Sequence, residues 1–514
     1  MKSRILGIAA SLRNARWGRG SDNLLKDIKT QASREDLNQF LQKEADIHLE
    51  QFIEAGRKDG VPFDKLYGNL KRKRGDKGLS NSEVALTAAL WGVFQAGGEP
   101  EYLSLADHFG MTKEVQNPET LKTRLLKADG ILLSTPVYFG DRGSLAHDLI
   151  EFIKADDDLV RSFSQKVYGG IAVGAKRNGG QETTLIYQLL DMVNLGSLGV
   201  GNDSDTTSQY GGTVHAGDIG TAAKDSYGIN TSVGVGKRIA SVTELLKASE
   251  NMRLKDKPKI QFWVLQDHNG KGQKLLKDMI LNSRSRITAE LIDFSSAQIK
   301  RCIACDICPT DIDIDEIYRC IIRKSPLDEL ETHHTKFIDV DAIVPVVFSG
   351  ANMNSRQSSY QRFIERTRYL RRGDYLFTNV LTAPLVFEEI GVQENMHVRI
   401  LTSMIRHHTI MMKPMIGYIF QGACLNLDSL TESFDTFVDN AEKVTLGKLS
   451  SSGNSKTPKY NPVGYILSAE KDKQDESLNR RQKMIENRGE RQTALKEHRV
   501  VLEELKRKDL SAQK

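Results

Sequence analysis

The chain has 514 residues, a mass of 57.5 kDa, 39% hydrophobic and 27% charged residues, and a formal charge of +5. That length exceeds one compact domain and suits two with appendages, while so small a net charge gives no case for nucleic acid as a partner. No run reaches the ~18 apolar residues of a membrane helix, and Met1–Ile8 enters a strand-like stretch without a signal-peptide core, so the sequence predicts a cytoplasmic protein with no membrane contact.

Taken in order, the first half alternates strands and helices. Ile5 to Ala10 reads as a buried strand, Val84 to Ala96 as a helix stopped by Gly97-Gly98, and Tyr102 to Leu105 as a second strand. Leu121 to Ala128 is helical, Gly130 to Ser134 a third strand, and Ser144 to about Lys154 a helix. A strand from Val167 to Val173 and a helix from about Gln181 follow. This alternation predicts a parallel sheet with helices on both faces. From about residue 14 to residue 77 the chain is charged and helical in pattern, far too long for a βα connection, and is read as an insertion that serves as a lid, an oligomer contact or a peripheral elaboration. Its run Lys71-Arg72-Lys73-Arg74 is read as a solvated loop.

Residues Asn251 to Pro258 read as a linker. A second series then opens with strand Ile260–Leu265, helix Gln273–Leu281 and strand Ala289–Ile292, and continues with strand Ala342–Val347 and helix Tyr360–Leu370. Asp129-Gly130-Ile131-Leu132 and Asp341-Ala342-Ile343-Val344 occupy matching places in the two series, a weak internal duplication. Past about Gly447, Ser450–Ser455 with Pro458 and Pro462 predicts a flexible stretch. The charged tail beyond it, with apolar residues at Leu478, Ile485, Leu495, Leu502 and Leu505, predicts a solvated helix suited to packing on a partner subunit. The domains expected are 1–250, 256–447 and a tail of 448–514.

Three loops follow predicted strands of the first half, where open α/β sheets bind ligands. The first holds Ser11 and Arg13 and, across the insertion, Ser80, Asn81 and Ser82. Hydroxyls, an amide, a guanidinium and the N–H groups of a helix start suit a phosphate monoester, although Ser80 or Ser82 also suits an ordinary N-cap. The second is Thr135, Pro136, Val137, Tyr138, Phe139 and Gly140, where backbone meets the edge of a flat heterocycle and an aromatic covers one face. The third runs from Gly174 through Asn178, Gly179 and Gly180 to Gln181, with glycines for close approach and polar groups for ring carbonyls.

In this order Gly7–Arg13, Ser80–Glu83, Ala128–Gly140 and Arg177–Thr184 resemble the NADPH-dependent FMN reductase family of flavodoxin-like proteins, over residues 1 to about 250 with the insertion unmatched. Gly211-Gly212-Thr213 and Ala216-Gly217-Asp218 also resemble a later stretch of some members. The resemblance implies an α/β fold of flavodoxin-like, doubly wound parallel-sheet domains, FMN phosphate on the first loop, and the isoalloxazine between the second and third. It also implies NAD(P)H as co-substrate, a flavin, quinone, metal or other electron acceptor, and a homo-oligomer. The flavin carries the hard step, so no catalytic acid or base is nominated.

The second half resembles the same superfamily more distantly, and especially its iron–sulfur flavoproteins, through Cys302-x2-Cys305-x2-Cys308 with Cys320 beyond. These four thiols suit a [4Fe-4S] cluster, a structural zinc ion or no metal at all, and the sequence leaves the three open. The acidic residues Asp311, Asp313, Asp315 and Glu316 between the last two cysteines would disfavour an anionic cluster. Asp267, in the loop Gln266–Gly272, would repel a phosphate, so this second domain is read as a degenerate copy. The pairs His333-His334 and His407-His408 are read as surface or core residues. The leading function is an FMN-dependent NAD(P)H oxidoreductase. The alternatives are an iron–sulfur electron-transfer flavoprotein and a non-catalytic scaffold on flavodoxin-like folds.

Overall fold

Ile5, Leu6, Ile8 and Ala9 are all fully buried in strand β1 (Arg4–Ala9), and a strand apolar on both faces belongs inside a parallel sheet covered by helices. The computed structural model describes residues 2–111, 114–206, 208–267, 270–309, 311–351, 357–451, 457–460 and 474–502. After β1 come α1 (Arg19–Thr30), α2 (Arg34–Phe52) and α3 (Phe63–Lys73), which make up the insertion, then α4 (Asn81–Gln95), β2 (Glu99–Ser104), α5 (Pro118–Lys127) and β3 (Gly130–Tyr138). Next are β4 (Asp141–Arg142), α6 (Ser144–Lys154), α7 (Asp157–Phe163), β5 (Val167–Gly174), α8 (Gln181–Asn194), β6 (Leu198–Val200), β7 (Gly212–His215) and α9 (Ser226–Lys247).

The chain divides into two compact units. The first is Met1–Glu244 with Val398–Pro414 and a short piece from Pro458; the second is Leu245–His397 with Met415–Thr457 and the C-terminal helix. In the first unit the parallel order is β2–β1–β3–β5, with the fifth place shared by two short strands. β6 pairs with the first half of β5 and β7 with the second, because the chain leaves the sheet between Gly201 and Gly211. This is the 2-1-3-4-5 order of the flavodoxin-like doubly wound fold, which puts loops 1, 2 and 3 side by side at the carboxyl ends of the strands.

The second unit contains β8 (Met252–Leu254), β9 (Lys259–Gln266), α10 (Lys271–Ser283), β10 (Thr288–Asp293), β11 (Ala342–Ser349), α11 (Gln357–Arg366), α12 (Arg368–Arg372), β12 (Leu381–Thr382) and β13 (Leu385–Glu389). Helix α13 (Met396–Ile405) and β14 (Ile410–Met411) lead to β15 (Met415–Phe420), β16 (Ala423–Cys424), α14 (Leu427–Ser450), α15 (Gln474–Arg499) and β17 (Val500–Leu502). Its parallel order is β10–β9–β11–β13–β15, the order of the first unit again. One detail recurs as well. Asp129, just before β3, exchanges bonds with Arg4 at the start of β1: its N–H donates to Arg4 O at 2.9 Å and its carboxylate accepts from Arg4 N at 2.7 Å. Asp341, just before β11, does the same with Lys259 at 3.1 and 2.8 Å.

Three local expectations are corrected. The stretch 251–258 is no plain linker, because β8 lies in it and pairs antiparallel with β17. The helix expected over Tyr360–Leu370 is divided at Thr367, between α11 and α12, and the Thr367 hydroxyl donates to Ile364 O at 2.7 Å. The tail helix α15 packs on its own unit: Leu495 and Val500 lie against Leu254, Leu446 and Leu449. Of the tail and its approach, 452–456, 461–473 and 503–514 lie outside the described residues, as do His268 and Asn269 of the second unit's first loop. Among the described residues no helix is long and apolar enough to cross a membrane.

Candidate functional site

The first loop is built from below. Ser11 Oγ accepts from Arg13 N–H at 3.3 Å, and Asn14 Nδ2 donates to Ala9 O at 3.0 Å and Ser104 Oγ at 2.9 Å. Glu83, fully buried in the first turn of α4, draws in the rest: Oε2 accepts from Ala15 N and Ser80 N at 2.8 Å each, Oε1 from Arg16 N at 3.0 Å and the Tyr102 hydroxyl at 2.6 Å. Ser80 completes a capping box with Glu83 and donates to Asn14 Oδ1 at 3.3 Å, so its hydroxyl is spent inside the protein. Ser82 is buried, its carbonyl accepting from Ser134 Oγ at 2.8 Å, and the Asn81 amide ties Asp218 O (2.9 Å) to Ala222 N (3.2 Å). The N–H groups of Asn81 and Ser82 are taken by no side chain among the described residues. Arg13 is half-buried and makes no ion pair among the described residues. Burial lowers its pKa, Tyr138 and Asp218 oppose that, and Arg57 from the insertion adds to it. A desolvated guanidinium that makes no ion pair among the described residues suits an anion.

One carboxylate closes both ends of the insertion on this loop. Glu44 of α2 accepts from Arg16 Nη2 at 2.6 Å and from Gly78 N at 2.7 Å, with Arg16 and Glu44 both buried. The basic run is not a solvated loop. Lys71–Lys73 end α3, and Arg74 donates to the carbonyls of Leu12 and Ala106.

Loops two and three touch. Thr135 is buried and its Oγ1 accepts from Gly143 N at 3.0 Å; Pro136 and Val137 are half-buried; Tyr138 and Phe139 are exposed. Phe139 and Gly140 turn the chain with φ of +52° and +81°. Gly180, at φ +98°, packs so closely that a Cβ there would lie 2.7 Å from Gly140 Cα, which leaves glycine as the residue that fits. Gln181 is buried beneath the loop: Oε1 accepts from Gly179 N at 2.9 Å, and Nε2 donates to Lys176 O at 2.6 Å and Val214 O at 3.3 Å. It fills the space beside Gly174, so it braces the loop, while Asn178 stands exposed at the tip. Arg177 fastens the loop to Asp225 and to Thr213 O (3.1 Å), 5.4 Å above the Tyr227 ring.

The sequence-predicted residues thus fall into one convergent group. Ser134–Ser82 and Gly140–Gly180 link the three loops, and Asn81–Asp218 adds the 216–222 turn. Among the contributors absent from the sequence-based set are Glu83 and Arg57. Glu83 was open to view through the Ser80-x-x-Glu83 capping box. Arg57 follows Gly56, whose φ of +104° breaks the end of α2, and lies 3.9 Å from Asp218; it had no signal, since its place depends on how the insertion folds back.

The second unit's sheet top differs. Asp267, after β9, accepts from Gly272 N at 2.8 Å and Gln273 N at 3.1 Å, so a protein carboxylate already sits on the N-terminus of α10. Glu394 accepts from Gln266 Nε2 at 3.1 Å and Ser349 Oγ at 2.9 Å, and burial, then Glu394, raises the Glu388 pKa.

Cys302, Cys305, Cys308 and Cys320 line one pocket together with Arg366, Arg368, Tyr369 and Arg372. All four thiols are free. Ala304 and Asp306 have φ of +52° and +56°, so the backbone reverses twice between cysteines. Cys302 Sγ accepts from Ala304 N at 3.4 Å and Arg368 Nη1 at 3.9 Å, while Arg372 and Arg368 pair with Asp306. Burial, with Cys320 adding, pushes the Cys308 thiol up to about 12. Among the described residues no three His, Cys, Asp or Glu side chains form a ready cage for a single metal ion. Three of the four acidic residues expected to repel a cluster are paired with arginines, Asp311 with Arg480, Asp315 with Arg488 and Arg491, and Glu316 with Arg491, while Asp313 accepts from Ile314 N at 2.8 Å.

Strand order and converging loops define the first unit as a flavodoxin-like domain. The sequence model of the NADPH-dependent FMN reductase family matches residues 66–204, which include the start of α4 and the second and third loops. The chain is 34% identical over 182 residues to an iron-sulfur flavoprotein of Methanocaldococcus jannaschii, covering 32% of this chain and 92% of that relative. With an iron-sulfur flavoprotein of Archaeoglobus fulgidus it shares 28% identity over 135 residues, 25% of this chain and 65% of the relative. A solved flavodoxin, WrbA-like protein from Agrobacterium tumefaciens is 18% identical, with coverage of 31% and 87% and a TM-score of 0.24. Through its N-terminal half the chain belongs to the NADPH-dependent FMN reductase family of flavodoxin-like proteins.

Proposed function

We propose that the first unit binds FMN at the carboxyl end of its sheet, and that the protein is an oxidoreductase taking electrons from NAD(P)H and passing them to a flavin, quinone or other acceptor. The carrying observation is Arg13, a half-buried guanidinium without an ion-pair partner among the described residues, beside the open N–H groups of Asn81 and Ser82. Those groups suit the phosphate, helped by the positive end of α4. Thr135–Gly140 and Asn178–Gly180 would flank the ring, with Gln181 and Arg177 holding the third loop in shape. Bound FMN would supply hydride acceptance and electron delivery; the chain's own part is to bind, orient and shield it.

The test is an absorption spectrum of anaerobically purified protein before and after NADPH. Flavin bands that bleach are expected, whereas protein that stays colourless after incubation with FMN would move the scaffold reading forward. Arg13→Glu should weaken FMN binding about 100-fold through charge reversal at the phosphate, with riboflavin affinity little changed. Equal loss for both flavins would remove the phosphate assignment.

A second reading is favoured by the thiol pocket. Cys302, Cys305, Cys308 and Cys320 converge there among Arg368 and Arg372, a donor set and counter-charge that suit an anionic [4Fe-4S] cluster, which would supply one-electron transfer. On this reading the second unit is a degenerate flavodoxin-like copy whose chemistry lies in its cysteines. Iron and acid-labile sulfide assays on the anaerobic protein separate it from a plain flavoenzyme.

A further inference from the structure

Helix α15 binds two segments that adjoin residues of the thiol pocket. Arg488 donates to both carboxylate oxygens of Asp315 at 2.7 and 2.8 Å, and Arg491 donates to one of them at 2.8 Å. Asp315 is fully buried and lies in the bridge that joins Cys308 to Cys320. Its carbonyl accepts from His334 Nε2–H at 2.7 Å. That leaves Nδ1 to accept from the Tyr369 hydroxyl at 3.0 Å, and Tyr369 is part of the pocket lining. Arg488 also donates to Asp374 O at 2.8 Å and Gly373 O at 2.9 Å, and Arg481 to the Asp374 carboxylate at 2.6 Å, so the same helix grips the turn that ends α12. That short helix carries Arg368 and Arg372 into the pocket. Arg481, Met484, Arg488, Arg491 and Leu495 repeat at intervals of three and four, one stripe of the helix, and Met484 is fully buried. The docking face therefore carries three guanidinium groups and two apolar side chains, and its acceptors lie on the Cys308–Cys320 bridge (Asp315, Glu316), in the turn after α12 (Gly373, Asp374) and at Asp339.

We propose that α15 is a clamp on the cysteine pocket, with Arg488 and Arg491 as positioning residues that hold the Cys308–Cys320 bridge against α12. The clamp itself is read without any metal; its consequence for cofactor retention rests on the cluster reading above. Buried carboxylates bound by several donors keep their place only while the donors stay, so undocking the helix frees the bridge and exposes the two cysteines it carries.

The experiment uses the reduced, metal-free, full-length protein and follows iodoacetamide alkylation of each cysteine by mass spectrometry. In Arg488→Ala/Arg491→Ala, Cys308 and Cys320 should react at least about 10-fold faster than in the wild type. Cys424, on β16, should keep its rate, and Arg488→Lys/Arg491→Lys should fall between. Unchanged rates at Cys308 and Cys320 overturn the clamp, and so does acceleration of Cys424 by the same factor, which reports general unfolding. Iron and sulfide content after anaerobic reconstitution separates the two ideas. A wild type that takes up no iron ends the cluster reading and leaves the clamp on its alkylation rates. A double variant that retains iron as well as the wild type overturns the clamp's role in retention.

Discussion

The two sheet tops use the same strand order and end in opposite chemistry. Past β1, the loop carries Arg13, which makes no ion pair among the described residues, and Gly140 and Gly180 let two neighbouring loops close on each other. Past β9, Asp267 occupies the N-terminus of α10, and Glu388, Glu389 and Glu394 crowd the neighbouring strand ends. On the function proposed, an anionic ligand would meet a guanidinium at the first top and the Asp267 carboxylate at the second. The second unit instead gathers its reactive groups in the cysteine pocket, where Arg368 and Arg372 pair with Asp306 and Arg366 with Asp328. A shared topology fixes where loops meet, and a handful of side chains decide what they can hold.

The largest effect should come from breaking the most buried of those ion pairs. Arg366 and Asp328 are both fully buried, and Arg366 lines the thiol pocket. Asp328→Asn leaves a guanidinium without its counter-charge and should cost about 3–5 kcal/mol of stability, read as a fall in the urea midpoint. A cost below about 1 kcal/mol would mean that the pocket is not held by charge. In the first unit the matching test is steric. Gly180→Val imposes φ +98° on a β-branched residue and drives Cβ into Gly140, so FMN binding should weaken about 100-fold while the thermal midpoint falls only slightly. Retained flavin affinity would show that the two loops do not flank the ring.

A pH test probes the first unit alone. Burial, only partly offset by Arg74, raises the Asp107 carboxyl to about 7, and its Oδ1 has no hydrogen-bond partner. Between about 4, the ordinary value, and 7 the folded protein keeps a proton that the unfolded chain gives up, so stability falls as pH rises through that window and is level above it. Asp107→Asn should remove this loss, gaining on the wild type by about 1–3 kcal/mol at pH 8 and by nothing at pH 4. An identical difference at both pH values would reject the raised carboxyl. Smallest is Asp267→Asn. Asparagine keeps the hydrogen bonds to the start of α10 and loses the charge, so stability should change by less than about 1 kcal/mol and no flavin site should appear. Flavin binding gained by this change would mean that the carboxylate alone closes the second top.

Much of this was legible along the chain. β1, β3, β5, β9 and β11 announce themselves as apolar runs, α4 by its capping box and the Gly97-Gly98 stop, and the cysteine spacing by itself. The tail helix was half legible. Its apolar residues look irregular because Arg481, Arg488 and Arg491 stand in the seam beside Met484 and Leu495, and a pattern counted on apolar residues passes over arginines that bury their heads in carboxylates.

The sequence by itself determined the apolar strands β1, β3, β5, β9 and β11 and the compact cysteine motif, because each depends on neighbours within a few turns of chain. Only the tertiary structure decided the rest. It split the fifth strand between β6 and β7, gave Glu83 the N–H groups of Ala15 and Arg16, and brought Arg488 to Asp315 from 173 residues away. Hydrogen bonds and ion pairs over such separations are satisfied wherever the fold happens to bring a donor to an acceptor, and no local period records that meeting.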